Sequence, residues 1–537
     1  MTAPTHPAPT VGYAQLWAAD PGAWRAAGAA WAGLTGLVDR RAGELSTDGR
    51  ALRIGWSGRA ATAADGRLAG LRGELTSIAP ALIEADQVLA EFAGRLAAAK
   101  GRLAAAVALA DGSGLLVDRH GRVGPDPSRA RPGERDGLAS ARVTAALREA
   151  LELAGAADRA ATARLDELTT AATGAWQVPP PPGRPGSGAD PAAVRTWWAG
   201  LTPAQRRWLV GHEPALVGRL DGVPVAARDQ ANRLLLGTRR EELLAERRLL
   251  LARVPPGPVG SLRLRRVEAR LAGLDALAER LAGQGAPRAY LLGLDPAGEG
   301  RVVIALGDPD QADRVVTYVP GMTAGLDDAP GELERVARVL SRCAALDPGE
   351  RSAAVLWLDY DAPDFLHEAA TAGQARDAGP ALHRFQEGLR ASHDGPPARQ
   401  TVLGHSYGSL VVGSAARDHG LAADALVFVG SPGVGVAHAA ELGVPPGQVW
   451  ASSAPDDVIR LTRPPDELTR RVLLGTSPLA AALELTGHGE HELWFGRDPA
   501  APDFGGRIFP SGRHGHVGYW DPDNPALDGM ARIVLGR

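Results

Sequence analysis

The N-terminal part of the chain carries apolar residues at helical spacing. Trp24, Trp31 and Val38 recur every seven residues, and a second apolar series between residues 68 and 107 steps by three and four. These patterns predict two long helices. At ~1.5 Å per residue the second helix would be about 70 Å long, which is too long for an isolated helix. We therefore expect residues 1–111 to form a helical hairpin.

Glycine and proline mark the boundaries that follow. Residues 111–135 are rich in Gly, Pro and Asp, and helical periodicity resumes over about 137–173. Residues 112–178 are thus predicted to hold a linker and an additional helix. Residues 179–190 form a stiff, extended Pro/Gly-rich linker. Beyond it, the amphipathic, Arg- and Glu-rich segments of residues 191–285 predict a second helical region.

The apolar pattern changes its period after residue 286. Short apolar or β-branched runs without alternation are bounded by Gly, Asp and Pro and are separated by helical segments. Such runs predict a parallel sheet with helices on both faces. The predicted strands are 289–292, 301–305, 315–319, 354–358, 401–403, 425–429 and 448–451, with a further candidate at 507–509. Residues 286–537 are therefore assigned to an α/β domain.

Composition excludes several classes of function. The 537 residues include 58 Lys+Arg and 62 Asp+Glu, for a net charge of −4, whereas nucleic-acid binders usually carry a basic surplus. The single cysteine, Cys343, excludes an internal disulfide framework and a thiolate metal cage. We predict no nucleic-acid partner, no cofactor and no metal.

The sequence shows no targeting or membrane-spanning segment. Residues 1–10 lack both a basic start and an apolar run. The most apolar helical stretch, residues 96–110, is too short to cross a bilayer and is interrupted by Lys100 and Arg102. The protein is therefore expected to be cytoplasmic as made and not transmembrane.

A G-x-S-x-G pentapeptide gives the first chemical signal. Residues 404–408 (GHSYG) directly follow a predicted strand and precede a helix-compatible run. This is the context of a nucleophile elbow, in which glycines leave room for a strained turn and the serine lies at the carboxyl edge of the sheet. The interpretation makes Ser406 the nucleophile of an α/β-hydrolase fold. The alternative is a Gly-rich turn with an incidental serine.

A serine nucleophile needs a base that is oriented by a carboxylate, and in this fold the chain order is Ser, acid, His. Asp456 and Asp457 follow the predicted strand at 448–451, and the D-x-V-I pattern favours Asp456. His514 and His516 lie in a loop before the last helical stretch, and we favour His516. A His-x-His metal site is the rival interpretation, but it lacks an obvious third and fourth ligand.

Backbone N–H groups are expected to stabilise the oxyanion that forms during acyl transfer. One candidate is the amide of Tyr407, the residue after the nucleophile. The other is the amide of Met322, in the segment Pro320-Gly321-Met322 that follows the predicted strand at 315–319. A plain Pro-Gly turn is the alternative for this segment.

Five ordered blocks resemble a known family. They are residues 318–322 (YVPGM), 357–363 (WLDYDAP), 404–408 (GHSYG), 430–435 (GSPGVG) and 516–519 (HVGY). Together they resemble an uncharacterised α/β-hydrolase domain of high-GC Gram-positive bacteria, whose relatives include cutinase-like esterases. The resemblance implies a triad of Ser406, Asp456 and His516 in a serine hydrolase that acts on an ester or lipid-like acyl group. An acyltransferase using the same acyl-enzyme is an alternative.

The N-terminal hairpin resembles the W-x-G proteins of type VII (ESX) secretion, because residues 56–58 (WSG) lie between the two predicted helices. The Tyr-x-x-x-Asp/Glu export signal of those proteins is missing, since no tyrosine occurs between Tyr13 and Tyr290. Either a partner supplies that signal or the protein stays inside. The resemblance implies a helical-hairpin partner, or a homodimer, bound through residues 1–111. The alternative function is a secretion-associated interaction protein whose hydrolase fold is cargo or a weak catalyst.

Overall fold

The structure is a computed structural model, and it describes residues 11–56, 58–126, 135–173, 181, 183–186, 188–252, 258–283, 287–295, 300–322, 324–326, 328–363, 366–461 and 492–537. The chain forms two compact units, Met1–Pro179 and Pro180–Arg537. The division falls at the start of the predicted Pro/Gly-rich linker. Within the described ranges, no helix combines the length and the apolar content that a membrane crossing requires.

In its described residues the first unit is helical, with a small two-stranded β-hairpin. Its helices are α1 (Tyr13–Ala18), α2 (Pro21–Gly55), α3 (Arg59–Gly112) and α4 (Arg135–Thr173). Strands β1 (Leu115–Val117) and β2 (Val123–Pro125) pair antiparallel inside the segment that the sequence predicts to be a linker. Strands of three residues are too short to show a hydrophobic period, so the pattern does not reveal them.

Helices α2 and α3 are separated by the W-x-G tripeptide, of which Ser57 lies outside the described residues. Helix α2 begins with Pro21, and the side chain of Asp20 accepts a hydrogen bond from the Gly22 amide at 2.8 Å. Gly58 has a φ of 108°, a backbone conformation that glycine adopts far more readily than other residues. The sharp change of direction at this point thus depends on that glycine.

The core of the first unit lies between α3 and α4. Leu96 and Leu103 of α3 pack with Val143 and Leu147 of α4, and all four side chains are buried. Helix α4 therefore shares a core with α3, whereas the predicted domain boundaries set residues 112–178 apart from the hairpin.

Helix α2 keeps a row of large apolar side chains exposed. Trp24, Trp31, Leu34 and Leu37 each retain 43–45% of their accessible surface. The Trp24 ring contacts Phe92 of α3 edge-on, with ring centroids 5.1 Å apart. In the described part of the chain, α3 covers this row only in part.

The second unit begins with helices that cover one end of its sheet. These are α5 (Pro191–Gly200), α6 (Pro203–His212), α7 (Pro214–Val217), α8 (Val225–Leu251) and α9 (Pro258–Ala282). On α8, Asp229 Oδ1 accepts from the Leu291 amide at 2.7 Å, and Asn232 Nδ2 donates to the Leu291 carbonyl at 3.1 Å. These buried hydrogen bonds tie the helical region to the first strand of the sheet. The predicted boundary between 191–285 and 286–537 therefore runs through a shared core.

An eight-stranded sheet forms the centre of the second unit. Its strands are β3 (Ala289–Asp295), β4 (Arg301–Leu306), β5 (Arg314–Val319), β6 (Ser352–Leu358), β7 (Arg399–His405), β8 (Ala425–Val429), β9 (Val449–Ser452) and β12 (Arg507–Ile508), in the order β12-β9-β8-β7-β5-β6-β4-β3. A separate two-stranded hairpin consists of β10 (Glu492–Leu493) and β11 (Gly496–Arg497). The pairs from β12 to β6 are parallel, and β6–β4 and β4–β3 are antiparallel. The prediction of a mostly parallel sheet is confirmed.

Further helices complete the layers around the sheet. Within the described residues they are α10 (Ala329–Leu346), α11 (Leu366–Ala369), α12 (Gly373–Ser392), α13 (Tyr407–His419) and, after the last strand, α14 (Pro525–Leu535). Helix α12 packs against α13, and α10 packs against α14. Every residue of β8 is buried, because strands covered on both faces place apolar side chains on each side. The carboxyl ends of the parallel strands define one edge of the sheet, where the candidate site lies.

Candidate active site

Ser406 occupies a strained turn between β7 and α13. Its φ of 53° and ψ of −129° make it the one non-glycine residue with positive φ in the described part of the chain. Backbone strain of this kind costs about 1–3 kcal/mol and is found preferentially at functional sites. A Cβ on Gly404 would lie 2.7 Å from Ser409 Cα, and one on Gly408 would lie 2.2 Å from the Val319 carbonyl oxygen. Both glycines of the pentapeptide are therefore required by close backbone packing.

His516 connects Ser406 to a buried carboxylate. Its Nε2 lies 2.9 Å from Ser406 Oγ, and its Nδ1 lies 2.8 Å from Asp457 Oδ1. With the Nδ1–H donating to the carboxylate, Nε2 is free to accept the serine proton. The structure thus brings Ser406, Asp457 and His516 together from three separate loops at the carboxyl edge of the sheet.

The preference for Asp456 is wrong in this geometry. Asp456 is exposed, and its Oδ1 accepts a hydrogen bond from the Gly515 amide at 3.2 Å. A tight turn after β9, closed by a hydrogen bond from the Asp457 amide to the Ala454 carbonyl, directs the Asp457 side chain inward. Asp457 is the other carboxylate that the sequence analysis names. The turn, and not the D-x-V-I pattern, determines which of Asp456 and Asp457 contacts the histidine.

Asp457 is held in its charged form by its neighbours. The hydroxyl of Tyr519 donates to Oδ2 at 2.6 Å, and the Ile459 amide donates to Oδ1 at 2.9 Å. Burial alone would raise the pKa of Asp457, but the hydrogen bonds from His516 and Tyr519 outweigh it and lower that pKa below its ordinary value. A charged carboxylate at this position orients the imidazole and stabilises the imidazolium.

His514, the alternate histidine, lies apart from the serine. Its Nδ1 is 2.9 Å from Asp521 Oδ2, so it forms a pair of its own. Among the described residues no group of three or more His, Cys, Asp or Glu side chains could hold a metal ion.

His405 and Tyr519 belong to the site although the sequence pattern gave them no role. The Nε2 of His405 lies 2.9 Å from the carbonyl oxygen of His516, which it can contact only as a donor. Burial, together with the neighbouring His516, lowers the pKa of His405 to about 3 and keeps its ring neutral. His405 stands inside the GHSYG block and Tyr519 inside HVGY, but their contacts span loops that only the fold brings together.

The oxyanion candidates lie on the other side of Ser406. Tyr407 is the first residue of α13, so its amide is among the helix N–H groups that lack an intrahelical acceptor. A Cβ on Gly321 would lie 3.1 Å from Ser406 Oγ, which places the segment containing Met322 against the nucleophile. The Tyr407 side chain is buried, and its hydroxyl donates to the Thr371 carbonyl at 2.7 Å, so this side chain has a packing role.

A polar cavity of about 450 Å³ lies at the same sheet edge, beside β4 and β6. Its wall includes Arg228, Arg301, Asp359, Asp377 and Arg384. Burying hydrocarbon among charged groups that need solvent or partners is unfavourable, whereas a hydrogen-bonding ligand can satisfy them. This cavity is therefore unsuited to an acyl chain.

The strand order, the elbow and the layered helices define an α/β hydrolase. A family model described as alpha/beta hydrolase matches residues 295–467. An uncharacterised protein of Mycobacterium bovis is 36% identical over 206 residues, which cover 36% of this chain and 76% of the relative. The chain belongs to this alpha/beta hydrolase family.

A longer match extends the similarity beyond the sheet. An uncharacterised protein of Mycobacterium tuberculosis is 32% identical over 387 residues, which cover 67% of this chain. The match spans 57% of the length of that relative. Among solved structures, a predicted CIB-like hydrolase from Thermoplasma acidophilum is similar with a TM-score of 0.26 and 12% identity, covering 46% of this chain and 96% of that one.

Proposed function

We propose that the protein is a serine hydrolase that acts on carboxylic esters through an acyl-enzyme. The observation that carries the proposal is the pair of hydrogen bonds that joins Ser406 Oγ to His516 at 2.9 Å and His516 to Asp457 at 2.8 Å. A serine hydroxyl is a weak nucleophile at neutral pH unless such a base is in place.

The steps follow from the roles of these groups. Ser406 Oγ attacks the ester carbonyl while His516 Nε2 takes its proton, and Asp457 stabilises the imidazolium that results. The amides of Tyr407 and Met322 would stabilise the oxyanion. The C–O bond to the alcohol then breaks as the imidazolium protonates the leaving oxygen, and water repeats the sequence to release the acid. Transfer of the acyl group to another alcohol would make the protein an acyltransferase through the same intermediate.

A fluorophosphonate probe tests this proposal directly. We expect it to label the wild-type protein and to leave Ser406→Ala unlabelled, because the probe reacts only with an activated serine. Ser414→Ala is the matched control, since Ser414 is a buried serine of helix α13, which directly follows Ser406, and its loss should leave labelling unchanged. Equal labelling of wild type and Ser406→Ala, or none of a folded wild type, would refute the proposal. Hydrolysis of p-nitrophenyl esters of increasing chain length then measures whether short or lipid-like acyl groups are preferred.

We further propose that the first unit binds a protein partner or a second copy of the chain. The row of Trp24, Trp31, Leu34 and Leu37 supports this, because exposed contiguous apolar surface commonly marks interaction sites. Sedimentation of the purified protein and co-purification should show an assembly that Trp31→Ser with Leu34→Ser weakens. Arg41→Ser, an exposed change on the same helix, should leave it intact. Assembly that survives the double substitution would contradict the proposal.

Export by a type VII route extends this second proposal. It requires that the partner supply the missing Tyr-x-x-x-Asp/Glu signal. Comparing the protein in culture filtrate and cells, for wild type and for Trp56→Ala, tests it. Equal partition of the two proteins would count against a role for the W-x-G tripeptide.

A further inference from the structure

Tyr360 contacts the backbone beside the nucleophile from the loop after β6. Its side chain is buried, and its hydroxyl lies 2.6 Å from the Pro320 carbonyl oxygen and 3.3 Å from the Gly321 carbonyl oxygen. Both acceptors belong to the segment that follows β5 and leads to Met322. One hydroxyl therefore contacts two successive peptide groups of this segment.

These contacts fix the direction in which the amides point. In a trans peptide the carbonyl and the following N–H point in opposite directions. With the Pro320 and Gly321 carbonyls facing Tyr360, the N–H groups of Gly321 and Met322 face away from it. Ser406 packs against the same segment, because a Cβ on Gly321 would lie 2.7 Å from Ser406 Cβ.

We propose that Tyr360 is a positioning residue that holds the Gly321–Met322 peptide with its N–H toward the oxyanion. The inference rests on the proposed serine-hydrolase function and goes beyond it, since Tyr360 touches neither substrate nor the reacting atoms. A rotation of this peptide would turn a carbonyl oxygen toward the developing negative charge. Glycine permits such a rotation more readily than other residues, so the segment needs an external restraint.

The surroundings of Tyr360 suit this role. Burial raises the pKa of its hydroxyl well above the ordinary value, so the group stays a protonated donor. Its ring stacks on Trp357, with centroids 6.0 Å apart and an angle of 9° between the planes. Phenylalanine can keep this ring contact and lacks only the hydroxyl, so Tyr360→Phe isolates the hydrogen bonds.

The experiment compares steady-state hydrolysis of a p-nitrophenyl ester by wild type and Tyr360→Phe. We expect kcat to fall about 10- to 100-fold, somewhat less than complete loss of an oxyanion donor, with KM and the pH profile unchanged. Fluorophosphonate labelling of Ser406 should slow by a similar factor. The matched control is Tyr318→Phe, because Tyr318 is also a buried tyrosine but donates its hydrogen bond to Glu332, at 2.6 Å, and not to the Pro320 or Gly321 carbonyl.

Each outcome decides the question. If Tyr360→Phe keeps the kcat of the wild type, the inference is overturned. It is also overturned if Tyr360→Phe and Tyr318→Phe lose kcat equally and both have a lowered thermal midpoint. If the wild type itself is not labelled, the proposed function fails and this inference fails with it. If the probe labels wild type and Tyr360→Phe at the same rate, only the positioning role of Tyr360 is refuted. Should Tyr360→Phe be too unstable to assay, Tyr360→Met provides a second side chain without the hydroxyl.

Discussion

The two sides of Ser406 are built from different parts of the chain. One side consists of side chains: His516 contacts the serine, Asp457 contacts the histidine, and Tyr519 contacts the carboxylate. On the other side, the candidate groups are backbone amides, and Gly321 of the segment that carries one of them packs against the serine. Substitution can remove the groups of the first side directly, whereas those of the second respond only to changes that move the backbone.

This difference separates two kinds of kinetic effect. Changes on the side-chain face should alter proton transfer and its pH dependence. Changes on the backbone face should lower kcat while leaving the pH profile in place, because no titrating group is touched. Three substitutions test whether the two sides behave in this way.

The largest effect is expected for Asp457→Asn. Losing the charge that orients His516 should lower kcat by about 10⁴-fold, as an amide favours the wrong histidine tautomer. Asp456→Asn is the matched control one residue away, and it should retain nearly full activity because, within the described ranges, the hydrogen bond of the Asp456 side chain is with the Gly515 amide and not with His516. Kinetics with a p-nitrophenyl ester measure both. A greater loss in Asp456→Asn would restore the assignment that the sequence pattern favours.

An intermediate effect is expected for Gly321→Ala. The added methyl group would lie 2.7 Å from Ser406 Cβ and 3.1 Å from its Oγ, so the backbone or the serine must move. We expect kcat to fall about 100-fold, with an unchanged pH profile. Gly331→Ala is the control, since an added Cβ there meets nothing within 4 Å. A shifted pH profile in Gly321→Ala would break the distinction between the two sides.

A smaller effect is expected for Tyr519→Phe. It removes a hydrogen bond to the charged carboxylate, so kcat should fall about 10-fold, which corresponds to the low end of the ~1.5–3 kcal/mol for a hydrogen bond to a charged group. The pKa of Asp457 should rise, because Tyr519 helps to lower it in the native protein.

The change in the pKa of Asp457 predicts how the stability of Tyr519→Phe depends on pH. A lowered folded-state pKa contributes stability above the unfolded value of about 3.9, which is lost as pH falls through the folded value. In Tyr519→Phe the contribution above the unfolded value should be smaller, and its loss should be complete at a higher pH than in wild type, which thermal unfolding across the acid range measures. Tyr318→Phe, which removes a similar bond to Glu332, should leave kcat unchanged. Unfolding curves of Tyr519→Phe and wild type that coincide across this pH range would contradict the expectation.

The sequence predicts the strands of the sheet better than it predicts the contacts within the candidate site. The inner strands of the sheet are predicted because they are continuous apolar runs, and β8 is buried along its whole length. Ser406 and His516 are predicted from their positions in the fold's chain order, and the structure places their side chains 2.9 Å apart. The choice between Asp456 and Asp457 failed, because one backbone hydrogen bond in a turn decides which side chain points inward.

The residues without a predicted role act through long-range contacts. Tyr360 meets the Pro320 carbonyl across 40 residues of chain, Tyr519 meets Asp457 across 62, and His405 meets the His516 carbonyl across 111. Local periodicity carries no information about such pairs, since only the folded sheet edge brings their loops together. Their residue types fit many other roles equally well.

The contact between His405 and the His516 carbonyl links the two loops that carry Ser406 and His516. His405 immediately precedes Ser406, so the backbone that holds the serine also holds the backbone of the histidine. A local fluctuation that displaces one loop must carry the other or break this part-buried hydrogen bond, which couples their opening into one cooperative event. Thermal motion at this edge would then move Ser406 and His516 as a unit and preserve the 2.9 Å distance between them.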